Sequence, residues 1–237
     1  MSLAPKTVLP AWDGLHRIVP SHFPPIDLFE TVADAEELEI VFAIESLTND
    51  RLKDEVGDLR RVLEKDRVSG PGSTPVMAAF THVGLSSRFT DGRYGVYYGA
   101  RALKTAIAET VYHRERFLSA TREPDTELTL RQYINKVALP LHDIRGEGYE
   151  VIHDRDHYHA SQELARSLRA EGSHGLLYRS VRDPGGECVA AFRPRTVTIP
   201  VQGCHFRYVW SGYRQQIVAV LTVDEWTTTE SAKSLQP

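Results

Sequence analysis

Apolar residues first recur at helical spacing at Leu38, Val41, Phe42 and Leu47, and Asp34 with Glu37 three residues on stands ahead of them as a cap and its reciprocal partner. That pattern predicts a helix over 35–47. A second, more polar helical stretch runs from Asn49 to about Glu64 and stops before Ser69-Gly70-Pro71-Gly72-Ser73-Thr74-Pro75, whose glycine and proline density predicts a connector. No Gly-Lys-Ser/Thr follows, so this is not a Walker loop.

Farther along, the period changes. Tyr94-Gly95-Val96-Tyr97-Tyr98 is aromatic and β-branched in the manner of a strand. Arg101 through Leu118 then turns helical, with Leu103, Ile107, Val111 and Leu118 on one face. Gln162, Leu164, Ala165 and Leu168 predict another helix that stops near Gly172. Gly175 to Val181 and Glu187 to Val197 flank Arg182-Asp183-Pro184-Gly185-Gly186, which has the turn chemistry of a β-hairpin. Helix and strand are mixed without repeats or regular βαβ alternation. The fold class expected is therefore α+β, a mixed sheet with flanking helices. Residues 1–13 read as a flexible N-terminal arm, 14–226 as a single domain and 227–237 as a disordered polar tail.

Composition narrows the function classes. The 237 residues, 41% of them hydrophobic, are enough to bury one full core. The net charge is −4, with 28 basic residues scattered among 32 acidic ones, and basic patches such as Arg60-Arg61 and Arg193-Pro194-Arg195 are short. No basic face is expected, so direct nucleic-acid binding is not. Cys188 and Cys204 lack metal-ligand spacing and are too few for a disulfide framework, which predicts reduced thiols. The run Ile217–Leu221 is too short to span a membrane and the first twenty residues hold no apolar signal core, so the protein is expected to be cytoplasmic.

Five polar residues stand in apolar or glycine-rich surroundings. Glu109 falls beside Ala102 and Ala106 at the edge of an apolar helical arc, which suits a carboxylate facing a cleft as well as a solvated surface residue. Tyr98 precedes that helix and offers a flat face to a cationic ring, or else fills the core. Arg17, in Leu15-His16-Arg17-Ile18-Val19, and Arg88, beside Phe89, carry guanidinium forks that fit a diphosphate and fit structural ion pairs equally. Ser180 lacks a Gly-x-Ser-x-Gly elbow, so it is read as a hydrogen-bonding serine in a cleft or as a simple strand serine, and not as a nucleophile. His153, His157 and His159, interleaved with Asp154 and Asp156, have no His-Glu-x-x-His pattern and no cysteine nearby, and no metal site is expected.

Together these stretches resemble the RES-domain family, the toxins of bacterial RES–Xre toxin–antitoxin pairs. The resemblance rests on Leu15-His16-Arg17-Ile18, Ser87-Arg88-Phe89, Val96-Tyr97-Tyr98-Gly99-Ala100 with Ala108-Glu109-Thr110, and Gly175-Leu176-Leu177-Tyr178-Arg179-Ser180-Val181-Arg182 with Gly185-Gly186-Glu187-Cys188-Val189. It runs from about residue 14 to 215. Two departures stand out: Ile18 occupies a place where some members have a second tyrosine, and the 20–85 stretch is longer than in compact members.

The resemblance implies a fold related to ADP-ribosyltransferase toxins and an enzyme that consumes NAD+ by cleaving its nicotinamide–ribose bond, as a glycohydrolase or phosphorylase. By position it implies Glu109, Arg17 and Tyr98 as catalytic residues and Arg17, Arg88, Tyr98 and Ser180 as NAD+ contacts. No metal and no cofactor apart from NAD+ as substrate is implied. The implied partners are an Xre/ParS-like helix-turn-helix antitoxin that covers the active site and a second copy in a homodimer. Alternatives are an ADP-ribosyltransferase acting on a specific protein and a noncatalytic regulatory module; an RNA-cleaving toxin is weakened by the acidic charge balance.

Overall fold

The computed structural model of the chain describes residues 5–21 and 58–223. The helix expected over 35–47, residues 49–57 of the next stretch and the tail 227–237 lie outside the described residues.

Among the described residues nine strands form one mixed sheet: β1 (Thr7–Val8), β2 (Leu15–Pro20), β3 (Tyr97–Ala100), β4 (Thr126–Asn135), β5 (Leu141–Asp143), β6 (Gly175–Arg179), β7 (Glu187–Ala191), β8 (Val201–Ser211) and β9 (Gln216–Val223). Their order is β1-β5-β6-β7-β3-β2-β4-β8-β9. All pairs are antiparallel except β5 with β6. The described α-helices are α1 (Thr74–Thr81), α2 (Leu103–Thr121) and α3 (His159–Ala170). The α+β expectation holds.

Side chains alternate across a strand, so β2, β3, β6 and β7 each feed two cores. Leu15, Tyr97, Leu177, Val189 and Ala191 pack with Val76, Met77 and Phe80 of α1. Ile18, Ala100, Tyr178, Cys188 and Ala190 pack on the opposite face with Ala106 of α2 and Ala165 and Leu168 of α3. The sheet thus lies between helices, and the parity of a strand residue decides which chamber it enters.

Several elements depart from the expectations. The arm expected over 1–13 contributes β1, whose Thr7 and Val8 pair with His142 and Leu141, because β5 would otherwise present an open edge of backbone donors and acceptors. The described end of the stretch expected to be helical to Glu64 forms two 3₁₀ turns, Leu59–Arg61 and Glu64–Asp66. The connector expected through Pro75 ends at Ser73, because Pro75 sits in the first turn of α1, where its missing N–H costs nothing. The strand expected from Tyr94 begins at Tyr97. Gly95 instead passes so close to α1 that an added Cβ would lie 2.2 Å from the Ala79 carbonyl oxygen.

The hairpin expected over 175–197 is present as β6 and β7, closing at the Arg179–Glu187 pair. Its turn docks on the start of α2. Gly185 has φ +80°, and a Cβ on Gly186 would lie 2.7 Å from the Thr105 side chain, so the pair of glycines supplies both the left-handed turn and the close approach.

Candidate functional site

Helix α2 carries Glu109 past the mouth of the β6–β7 hairpin. Ser180, expected on the first hairpin strand, lies one residue beyond it, where its N–H bonds the Gly186 carbonyl at 2.8 Å. Its hydroxyl donates to Glu109 Oε1 at 2.7 Å and accepts from the backbone N–H groups of Arg182 and Asp183 at 3.1 and 2.9 Å. With two amides pointed at the oxygen, the hydroxyl proton has one direction left, toward the carboxylate. Oε2 of Glu109 has no hydrogen bond among the described residues.

The turn itself is fixed from below. Asp183, almost fully buried, accepts from Thr105 Oγ1 at 2.7 Å and pairs with Lys104 Nζ at 2.9 Å. Both partners belong to the first turn of α2, so the helix that supplies Glu109 also anchors the turn that supplies Ser180. Lys104, then Thr105, hold the Asp183 carboxyl below its ordinary range.

Arg88 reaches the same region from the loop before β3. Its Nη1 donates to the carbonyls of Ile152 and Asp154 at 3.2 and 2.6 Å, and its guanidinium lies 4.7 Å over the Tyr158 ring. The other two guanidinium nitrogens carry no hydrogen bond among the described residues and are not sealed from solvent. The loop is held by α3: Ser161 Oγ donates to the Arg88 carbonyl at 2.7 Å, and Gln162 Nε2 donates to the Ser87 carbonyl at 2.8 Å.

Tyr98 closes the loop from the sheet side. Its hydroxyl shares a 2.8 Å hydrogen bond with Ser87 Oγ and accepts from the Phe89 N–H at 3.0 Å, while its ring stacks on Phe89 with centroids 6.5 Å apart. Burial pushes this hydroxyl up to about 12, so it stays protonated as a structural donor. Buried Tyr178 and Cys188 tie the set together. Burial raises both groups far above their ordinary values; Glu109 raises them further, and Arg88 opposes the shift in both. Tyr98 also acts on Tyr178. Arg88, Tyr98 and Glu109 thus all act on buried Tyr178, Ser180 joins them through its hydrogen bond to Glu109, and the Cys188 thiol stays protonated.

Arg17 is not brought into this group. It shares the sheet face of Leu15, pairs in register with Tyr133 and stacks 4.5 Å over Tyr97, all on the α1 side. Its Nη1 donates to the Tyr98 backbone carbonyl at 3.0 Å, so the guanidinium touches the strand and not the Tyr98 ring. Nε is buried without a hydrogen bond among the described residues, and Asn135 lies against the Tyr97 hydroxyl nearby. The paired guanidinium clamp expected of Arg17 and Arg88 is split by the sheet, because the side-chain parity of β2 sends Arg17 to the other chamber.

A different arginine lies in the turn that carries Ser180. Arg182, in the hairpin turn, lays its guanidinium 3.3 Å from the centroid of Tyr112, which is three residues beyond Glu109 on α2, and it also contacts the Arg155 carbonyl. Its side chain is 5% exposed. Sequence reasoning passed over Arg182 as a turn residue; its place two residues after Ser180 was the available signal.

His153 donates from Nδ1 to the Tyr149 carbonyl at 2.8 Å while Nε2 accepts from the Arg179 N–H at 3.1 Å, which makes it a neutral packing histidine. Among the described residues no group of histidine, cysteine and carboxylate side chains is placed to hold a metal, and no helix is long and apolar enough to cross a membrane. Both cysteines are free thiols.

A family model described as the RES domain matches residues 59–211, a span that contains Arg88, Tyr98, Glu109 and Ser180 but not Arg17. The chain is also similar to protein y4oC of Sinorhizobium fredii, 29% identical over 203 residues that cover 85% of each chain. Among solved structures it is similar to a chain in the crystal structure of the M. tuberculosis MbcT–MbcA toxin–antitoxin complex, at 10% identity, 88% coverage of this chain, 90% of that chain and a TM-score of 0.44.

Proposed function

The chain belongs to the RES domain family, and on that footing we propose that it is the toxin of a toxin–antitoxin pair and consumes NAD+ by cleaving the nicotinamide–ribose bond. The observation that carries this reading is the 2.7 Å hydrogen bond from Ser180 to Glu109, which aims one carboxylate and leaves its second oxygen unengaged among the described residues.

Cleavage sends the bonding electron pair to nicotinamide and leaves oxocarbenium character at the ribose anomeric carbon. A fixed carboxylate stabilises that charge as it develops, which is the electronic problem glycosidases meet with carboxylates. Glu109 fills that role and its Oε2 bonds a ribose hydroxyl. Water or phosphate then takes the anomeric carbon from the open side.

The two free nitrogens of Arg88 receive the diphosphate, and Arg182, two residues after Ser180, replaces Arg17 as the second guanidinium. Tyr98 presents an aromatic ring for the nicotinamide while its hydroxyl holds the Arg88 loop. Ser180 acts through Glu109 as a positioning residue. A helix-turn-helix antitoxin covering this mouth, and a homodimer, follow from the family resemblance.

The test is incubation of purified protein with adenine-labelled NAD+, with and without cell lysate. Free labelled ADP-ribose, or its phosphate ester when phosphate is supplied, is the expected product. Label fixed on one protein band would make the chain an ADP-ribosyltransferase, and intact NAD+ would make it a noncatalytic module.

A further inference from the structure

A cavity of about 540 Å³ opens at the opposite end of β7 from Ser180 and Glu109. Its lining includes Phe192, just past the end of β7, whereas the carboxylate site lies at Cys188, so the two are roughly 14 Å apart along the strand. Five arginines line it: Arg61, Arg93, Arg166, Arg169 and Arg193. Only two carboxylates do, Asp66 and Asp91, which leaves three positive charges in excess on a protein whose net charge is −4.

The ion pairs do not exhaust those cations. Arg193 pairs with Asp66 at 3.2 Å, while Arg166 and Arg93 share one oxygen of Asp91 at 3.1 and 3.5 Å. Arg61 reaches out of the cavity to Asp58, which Arg60 already holds at 2.9 Å. Arg169 has no carboxylate partner among the described residues and rests 4.5 Å over the Tyr94 ring. Complementing the C-terminal dipole of α3 accounts for Arg166 and Arg169 at most. Arg61, Arg93 and Arg193 converge from three other segments, and like charges gather at that cost only where something opposes them.

We propose that this cavity is a binding site for a phosphorylated small molecule of nucleotide size. Guanidinium forks match phosphate oxygens in pairs, and Phe80, Phe192 and Pro194 give an apolar floor for a base or sugar. The volume falls in the range of small-ligand sites. The short reach of the patch argues against a nucleic acid, since a phosphate backbone needs a basic track that continues past the mouth. The site also shares a loop with the carboxylate centre. Tyr94, under Arg169, donates its hydroxyl to the Phe89 carbonyl at 2.7 Å, and the Phe89 N–H is the group bonded to Tyr98. This inference does not depend on the NAD+ reading.

Calorimetric titration of the full chain with ADP and with inorganic pyrophosphate tests it, using wild type, Arg169→Gln, Arg61→Gln and Arg88→Gln. The first two variants leave Asp58, Asp66 and Asp91 each with an arginine partner, and unchanged circular dichroism confirms folding; if one fails to fold, the other carries the comparison. The expected result is saturable binding of both probes, ADP the tighter, weakened ~10-fold or more by Arg169→Gln or Arg61→Gln and retained in Arg88→Gln. No saturation by either probe overturns the proposal. So does binding lost only in Arg88→Gln, which places the probe at the carboxylate centre, or binding of a single-stranded oligonucleotide with neither small probe.

Discussion

The hydroxyl of Ser180 points its proton at Glu109 because two backbone amides, those of Arg182 and Asp183, occupy the rest of the oxygen. A serine one residue past a strand end thereby sets the orientation of a carboxylate on a helix seventy-one positions away. The hairpin turn, clamped to α2 through Asp183, Lys104 and Thr105, makes this a rigid relationship.

Ser180→Ala removes the donor and strands two amides. It is expected to lower kcat for NAD+ consumption about 10- to 100-fold with a smaller change in KM, and to cost about 1–2 kcal/mol of stability. Ser180→Thr, which keeps the hydroxyl, is expected to recover part of the loss. Steady-state kinetics on folded protein check both. An alanine variant that raises only KM would instead make Ser180 a simple substrate contact.

Arg17→Met takes away the donor to the Tyr98 carbonyl and the cation over Tyr97. Its expected signature is a stability loss of about 1–3 kcal/mol, read as a lower Tm, with NAD+ affinity of the folded fraction close to wild type. A variant with wild-type Tm and greatly weakened NAD+ binding would return Arg17 to the substrate site.

Acidification is expected to weaken the fold through its histidines before its carboxylates. Burial holds His16, His142, His153 and His205 below the ordinary value of 6.5. A lowered folded-state value means the unfolded chain binds more protons, so stability is whole above about pH 6.5 and falls as the pH drops below it. The lowered aspartates, Asp183 among them, act only near and below 3.8. A Tm that is flat near neutrality and declines from pH 6.5 toward 5 is the outcome expected. A Tm that rises over that interval would contradict it.

The parts that local pattern specifies were legible in the chain. The α2 period, the Pro-Gly-Gly turn and the short span from Glu109 back to Tyr98 all act within a few residues, and they put Glu109 on α2 and Ser180 next to the hairpin turn, one residue past the strand expected to hold it. Helix α1 was obscured because Pro75 looks like a breaker until its first-turn position is known. The sidedness of Arg17 was not legible, since it depends on the pairing of β2 with β3 and β4 across long sequence separations, and a shift of one residue would have sent it to the other face. The placement of Arg182 was hidden for a related reason: the surroundings of a turn residue are set only when Tyr112 is folded against it.

The most direct test is the rate of NAD+ consumption by Glu109→Gln against wild type, at matched folding. The substitution keeps the shape and a hydrogen-bond acceptor for Ser180 but removes the negative charge. A drop of ~10²–10³ in kcat with the fold intact is the predicted result, and turnover within a few-fold of wild type would remove Glu109, and with it this account of the chemistry.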